Sequence, residues 1–158
     1  GDVRDLQPVG SLAQDGAATL SIGSLAAGQR GGKKRIARIL ATGSAGVPPR
    51  IMGFGPVPAS KKALTRAGLS VKDMDVIEIN EAFAAQVLAC LKGLEVPFED
   101  SRVNPNGGAI ALGHPLGCSG ARIALTAARQ LQRSGGRYAL VSLCIGVGQG
   151  MAVVLERI

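Results

Sequence analysis

Residues 138–158 read "YALVSLCIGVGQGMAVVLERI", two aliphatic, β-branched runs separated by a short stretch rich in glycine. The runs predict strands at 138–144 and 148–155. The few residues between them leave no room for the crossover that parallel neighbours need, so the two strands pair antiparallel. Neither run alternates apolar with polar residues as a strand wet on one side does. Both faces are therefore covered, and the sheet lies between layers of helix.

Upstream the same signal recurs. "VIEI" marks a strand at 75–79, and apolar runs predict two more at 17–22 and 36–42. Helical patterns fall between them at 24–30, 57–67, 81–93 and 117–133. The helix near 57–67 is read as beginning after Pro58 and stopping before Gly68; the one at 117–133 stops before Gly135 and Gly136. This βαβαβα order predicts an α/β domain with a mixed, five-stranded sheet between helix layers. Residues 1–14 lack periodicity and read as a leading segment, and 15–158 as one domain. A chain of 158 residues buries roughly two-thirds of its unfolded surface, enough to fold without metal or disulfide.

Composition narrows the function classes. The net charge of +7 attracts anions: nucleic acid, acidic membrane or a phosphorylated small molecule. Nucleic acid is disfavoured because the chain has no tryptophan, one tyrosine and three phenylalanines, leaving little for bases to stack on. The basic run "RGGKKRIAR" at 30–38 reads as a solvated turn. No apolar stretch reaches the ~18 residues of a membrane span. Cys90, Cys118 and Cys144 are odd in number and show no CxxC spacing, which argues against metal and disulfide and for a reduced, cytoplasmic setting. The chain has no signal segment at its front and opens on Gly1 rather than methionine.

Three junctions between elements carry chemistry. His114, the only histidine, sits in "NGGAIALGHPLGCSG" (106–120). Pro115 biases it away from the helical region, and Gly113 and Gly117 let the backbone turn on either side, so the imidazole is aimed by the loop. Cys144 ends a strand in "SLCIGVGQG", where its thiol can face a cleft and trade a proton. Asn80, in "EINEAFAAQ", stands where a strand meets a helix; it suits an N-cap, with Glu81 in the first turn, and equally a site that stabilises an anion. Cys90 lies on a helical apolar stripe and reads as core. Cys118 opens a helix but is a poor candidate nucleophile. The glycines at 146, 148 and 150 are not a dinucleotide fingerprint, because Met151 replaces the last glycine and a strand follows.

"NEAF", "GHPLG" and "CIGVGQG", with "SAGVPPRIMGFGPVPA" and "NPNGGAIALGHPLGCSGARI" around them, closely resemble the signature segments of the thiolases, from about "DGAATL" to the C-terminus. The resemblance implies acyl transfer between a 3-oxoacyl-CoA and CoA, yielding acetyl-CoA, with CoA as substrate and no other cofactor. It makes His114 the base that activates a nucleophilic cysteine and then CoA, and a donor to an oxyanion hole shared with a water held by Asn80. Cys144 becomes the proton donor to the leaving carbanion, with the Gly146 amide in a second oxyanion hole, and Ser11, Met52 and Phe83 become acyl-CoA contacts. The family's nucleophile belongs to an N-terminal domain whose motif is not matched here, so the chain resembles a C-terminal domain that is inactive alone. "QPVGSLAQD", from Gln7, departs from the family's pantetheine-contacting stretch while keeping Ser11. Among thiolases the look is nearest to 3-oxoadipyl-CoA thiolases. The implied partners are acyl-CoA, CoA, the N-terminal domain and further copies of the chain in a homo-oligomer. The competing expectation is a non-catalytic half-thiolase that binds acyl-CoA or a partner subunit.

Overall fold

The computed structural model describes residues 16–32 and 34–158. Ser11 and the leading segment at 1–14 lie outside the described residues. The elements run α1 (Leu25–Arg30), β1 (Ala37–Gly46), a 3-10 turn (Pro49–Phe54), α2 (Pro56–Ala67), a second 3-10 turn (Val71–Asp73), β2 (Val76–Ile79), α3 (Ala84–Gly93), α4 (Ala109–Leu112), α5 (Leu116–Ser134), β3 (Tyr138–Ile145) and β4 (Gln149–Arg157).

The closing hairpin forms as its sequence requires. β3 and β4 pair antiparallel from Tyr138–Glu156 to Ile145–Gln149, turning through Gly146, Val147 and Gly148. Gly148 has φ 91°, and a Cβ there would meet the Val47 carbonyl oxygen at 2.2 Å, so this position suits glycine alone. β1 adds antiparallel to β4, and β2 adds parallel to β3. The sheet order is β1-β4-β3-β2, mixed as predicted.

It has four strands, not five. Residues 17–22 form no strand: they pair with no neighbour and are mostly exposed, with Ile22 at 72%. Extended chain becomes a strand only when its N–H and C=O groups find a ladder, and apolar content alone does not supply one. The short α1 that follows buries none of its residues. The basic run at 30–38 is in part a turn, as expected, but Arg38 enters β1 and pairs with Glu156.

Helices cover both faces. Strand alternation sends Ile77, Ile79, Leu140, Ala152 and Val154 toward α2 and α3, where Val57, Ala63, Leu64, Cys90 and Leu91 meet them. Val76, Ala139, Val141 and Leu155 go the other way, against Ile123, Ala127, Ala128 and Leu131 of α5. Each fully buried aliphatic side chain contributes about 1.5–3 kcal/mol. Gly68 (φ 68°) and Gly135 (φ 76°) terminate α2 and α5 in the left-handed conformation, the stops expected from sequence.

Candidate functional site

The parallel β2–β3 pair brings two predicted junctions to the same end of the sheet. Ile79 is in register with Ser142, and the Asn80 N–H donates to the Ser142 carbonyl at 2.9 Å, so Asn80, just after β2, lies one residue short of the level of Cys144 on β3. Asn80 is not the N-cap of α3. Phe83 is, three residues later, because the intervening chain is held by other bonds. Glu81 is likewise outside the helix: its carboxylate accepts from Asn104 Nδ2 at 2.8 Å and from the Ile110 N–H at 3.0 Å. Asn104 also clasps both backbone groups of Ile79. Glu81 and Asn104 thus clamp the 104–110 loop, which leads to His114, onto the end of β2. The close approach of Gly108, where a Cβ would lie 1.9 Å from Glu81 Cδ, makes the clamp possible.

His114 emerges from Gly113, whose φ of 87° only glycine adopts readily. Gly117, read from sequence as a second turn residue, instead lies in the first turn of α5, with nothing within 4 Å of its would-be Cβ. There Pro115 caps the helix and fixes its start at Leu116, so the chain already winds helically at Gly117. The imidazole bridges two elements: Nε2 lies 3.3 Å from Asn80 Nδ2, and Nδ1 lies 2.6 Å from Ser119 Oγ. Ser119 donates its own hydroxyl hydrogen to the Pro115 carbonyl at 3.1 Å. It therefore accepts from Nδ1–H, which leaves the Nε2 lone pair toward Asn80. Burial, followed by the positive charge of Arg122, holds the His114 pKa below its ordinary value, so the imidazole is a neutral acceptor. Asn80 is itself 1% exposed, and its Oδ1 has no partner among the described residues.

Cys144 is half-buried near the end of β3, and burial raises its thiol pKa, keeping the proton on sulfur. No hydrogen bond joins it to His114 or Asn80 among the described residues. Its support comes from behind: it pairs with Gly150, which packs backbone to backbone on Gly55 just after the 3-10 turn. Gly146 is exposed in the hairpin turn, with open space at its would-be Cβ. Met52 is half-buried in the 3-10 turn, and Phe83 is 61% exposed beside Asn80. Cys90 is a core residue: it is fully buried, its thiol donates to the Gly53 carbonyl at 3.3 Å, and burial pushes its pKa up to about 11. Cys118 is buried as well. Among the described residues no group of His, Cys, Asp and Glu is placed to hold a metal, and no helix is long and apolar enough to cross a membrane.

Residues 33–157 match the family model "Thiolase, C-terminal domain". The chain belongs to the thiolase family. This thiolase C-terminal domain is 60% identical over 144 residues to the 3-oxoadipyl-CoA/3-oxo-5,6-dehydrosuberyl-CoA thiolase of Escherichia coli (strain K12), covering 91% of this chain and 36% of that protein. It is 58% identical to the beta-ketoadipyl-CoA thiolase of Acinetobacter baylyi, with the same coverage. Its fold superposes on human mitochondrial 3-ketoacyl-CoA thiolase in complex with CoA at TM-score 0.82 and 50% identity, over 85% of this chain and 34% of that one. The chain thus spans about a third of the length of the thiolases it matches. The family match also begins after residues 17–22, the stretch that forms no strand.

The sequence reading passed over Ser119, and it cast Glu81 only as a helix-turn residue. Ser119 had a local signal, a hydroxyl five residues beyond His114 in the opening turns of a helix. The roles of Glu81 and Asn104 had none, because their contacts span 23 to 29 residues.

Proposed function

We propose that this domain supplies the acid–base machinery for acyl transfer between 3-oxoadipyl-CoA, or a close 3-oxoacyl-CoA, and CoA, with the nucleophilic thiol coming from outside these 158 residues. The observation that carries the proposal is the Asn80–His114–Ser119 chain, which orients a neutral imidazole with Nε2 as acceptor.

In the first half-reaction His114 Nε2 takes the proton of the nucleophilic thiol, and the thiolate attacks the keto carbon. The oxyanion is met by N–H and water hydrogens, the water being held by Asn80 Oδ1, the acceptor without a partner. As the Cα–Cβ bond breaks, Cys144 gives its proton to the carbanion, and acetyl-CoA leaves. In the second half-reaction the proton held by His114 passes by way of solvent to the Cys144 thiolate; His114 then accepts the proton of CoA, whose thiolate takes the acyl group, and returns that proton to the departing enzyme cysteine. Gly146 suits a second oxyanion donor because it is exposed in the hairpin turn, with open space where a side chain would lie. Met52 and Phe83 flank the acyl-CoA approach, and the family resemblance assigns Ser11 a further acyl-CoA contact. In the assembled enzyme the domain packs on an N-terminal domain within a homo-oligomer, in the cytoplasm. The non-catalytic module is not favoured, since nothing in the Asn80–His114–Ser119 geometry is needed for binding alone.

The test is complementation. The chain alone releases no acetyl-CoA from 3-oxoadipyl-CoA and CoA, whereas the chain joined to the N-terminal part of the Escherichia coli relative does. Robust turnover by the chain alone overturns the assignment, as does an inactive but well-folded joined enzyme.

A further inference from the structure

Glu78 lies 2% exposed in the middle of a fully buried strand, and its Oε1 has no hydrogen-bond partner among the described residues. It shares a sheet face with Val76 and Asn80, opposite to Ile77 and Ile79, and that face is covered by α5. On α5, Arg122 stands one turn beyond Ser119, the residue that holds His114 Nδ1. An acid on the strand and a cation on the helix thus stand behind the two residues that contact the imidazole, Glu78 two positions before Asn80 and Arg122 three after Ser119, and the acyl-transfer steps leave both unused.

We propose that Glu78 and Arg122 are an opposed pair of positioning residues that sets the proton affinity of His114, Arg122 lowering it and ionised Glu78 raising it. This rests on His114 being the base of the proposed reaction. Other charges near the pair are spoken for: Glu81 clamps the 104–110 loop, Arg102 is engaged by Asp100 with the Val71 and Met74 carbonyls, and Asp75 accepts from the Arg137 and Tyr138 N–H groups. Burial, with the nearby Glu81 charge, pushes the Glu78 carboxyl up to about 7, and Arg122 works against that rise. The His114 pKa is depressed by burial and by the same Arg122. As pH rises, His114 therefore loses its proton first while Glu78 is still neutral. Glu78 then ionises near neutrality, and its charge strengthens the base in the range where thiols begin to ionise.

His114 is the only imidazole in the chain, so an NMR titration of the protein labelled at its histidine ring carbon reads this site directly. The wild-type His114 signal is expected to show a main step below pH 6.5 and a second, smaller step near 7. Glu78→Gln removes the second step. Arg122→Gln moves both steps upward, the first by about half a unit or more, and Arg122→Lys, which keeps the charge, restores the wild-type curve. A single step with the same midpoint in wild type, Glu78→Gln and Arg122→Gln overturns the proposal. If the glutamine variants fail to fold, carbon-detected titration of the Glu78 carboxyl in the wild type decides, and a midpoint in the ordinary carboxylate range overturns it. A joined enzyme that does not turn over, in a protein whose His114 still titrates in two steps, supports the charge pair and removes only its catalytic use.

Discussion

The two faces of the sheet are buried to a similar depth and built for different ends. Toward α2 and α3, β2 sends Ile77 and Ile79 into a dry cluster with Leu64, Met74, Leu91 and Leu140. Toward α5, the same strand and the residue after it send Glu78 and Asn80, both almost fully buried and each with an oxygen that finds no partner among the described residues. A polar atom buried without a partner costs about 1–3 kcal/mol, and the α2–α3 side carries two such hydroxyls as well, Ser60 and Ser142. What sets the α5 side apart is the kind of group it buries, an amide in contact with the imidazole and a carboxyl two residues before it.

The largest expected effect lies on the polar face. In the enzyme completed with an N-terminal domain, His114→Ala lowers kcat by about two to four orders of magnitude, and Cys144→Ser on the adjoining strand end does the same. Circular dichroism and melting stay close to wild type. Steady-state kinetics make the check, and near-normal kcat in either variant removes that residue's role. Because the folded His114 pKa is depressed and that of Cys144 raised, activity falls as pH drops through the His114 pKa below 6.5 and again as the Cys144 thiol ionises at high pH.

The dry face answers in the other currency. Leu140→Ala opens a cavity in a fully buried position and costs about 2–5 kcal/mol in denaturant unfolding. Any kcat that survives folding stays near wild type, and a large drop in kcat without lost stability would dissolve the contrast between faces.

Glu78→Gln tests the polar face by stability. The folded pKa is raised to about 7 from an ordinary 4.5, so the folded state binds the proton more tightly than the unfolded one. The wild type therefore loses stability as pH climbs between these values, by up to roughly 3 kcal/mol. Glu78→Gln cannot ionise, and its stability should change less between pH 5 and 8 than that of the wild type. Equal pH dependence in the two proteins would mean the carboxyl is not held in a dry site.

The smallest effect is at Ser119. Ser119→Ala frees Nδ1 and its tautomer, which should lower kcat about tenfold, roughly 1.4 kcal/mol, with KM little changed. Ser119→Thr, which keeps the hydroxyl, should recover part of the loss.

How much of this was legible along the chain follows from the range of each interaction. The hairpin at 138–157, the glycine stops of α2 and α5 and the aim of His114 by Gly113 and Pro115 were readable, because each depends on backbone preferences of adjacent residues. So was the family resemblance, carried by contiguous motifs. The fifth strand failed at residues 17–22 because apolar content reports burial preference, while a strand exists only if a neighbour supplies its ladder. Asn80 as N-cap failed because Glu81, the next residue, is engaged by Asn104 and Ile110 from far along the chain, and the helix starts only after Phe83. Sequence alone determined which residue types stand at the three junctions and that the domain is a mixed sheet between helices. The tertiary structure decided that two of those junctions meet at 3.3 Å, that Ser119 sets the imidazole's tautomer, and that Glu78 is sealed behind the site. The Asn80–His114 contact and the sealing of Glu78 rest on segments far apart in the chain, which no local preference encodes; Ser119 is only five residues from His114, but its aim depends on how the opening turn of α5 is set.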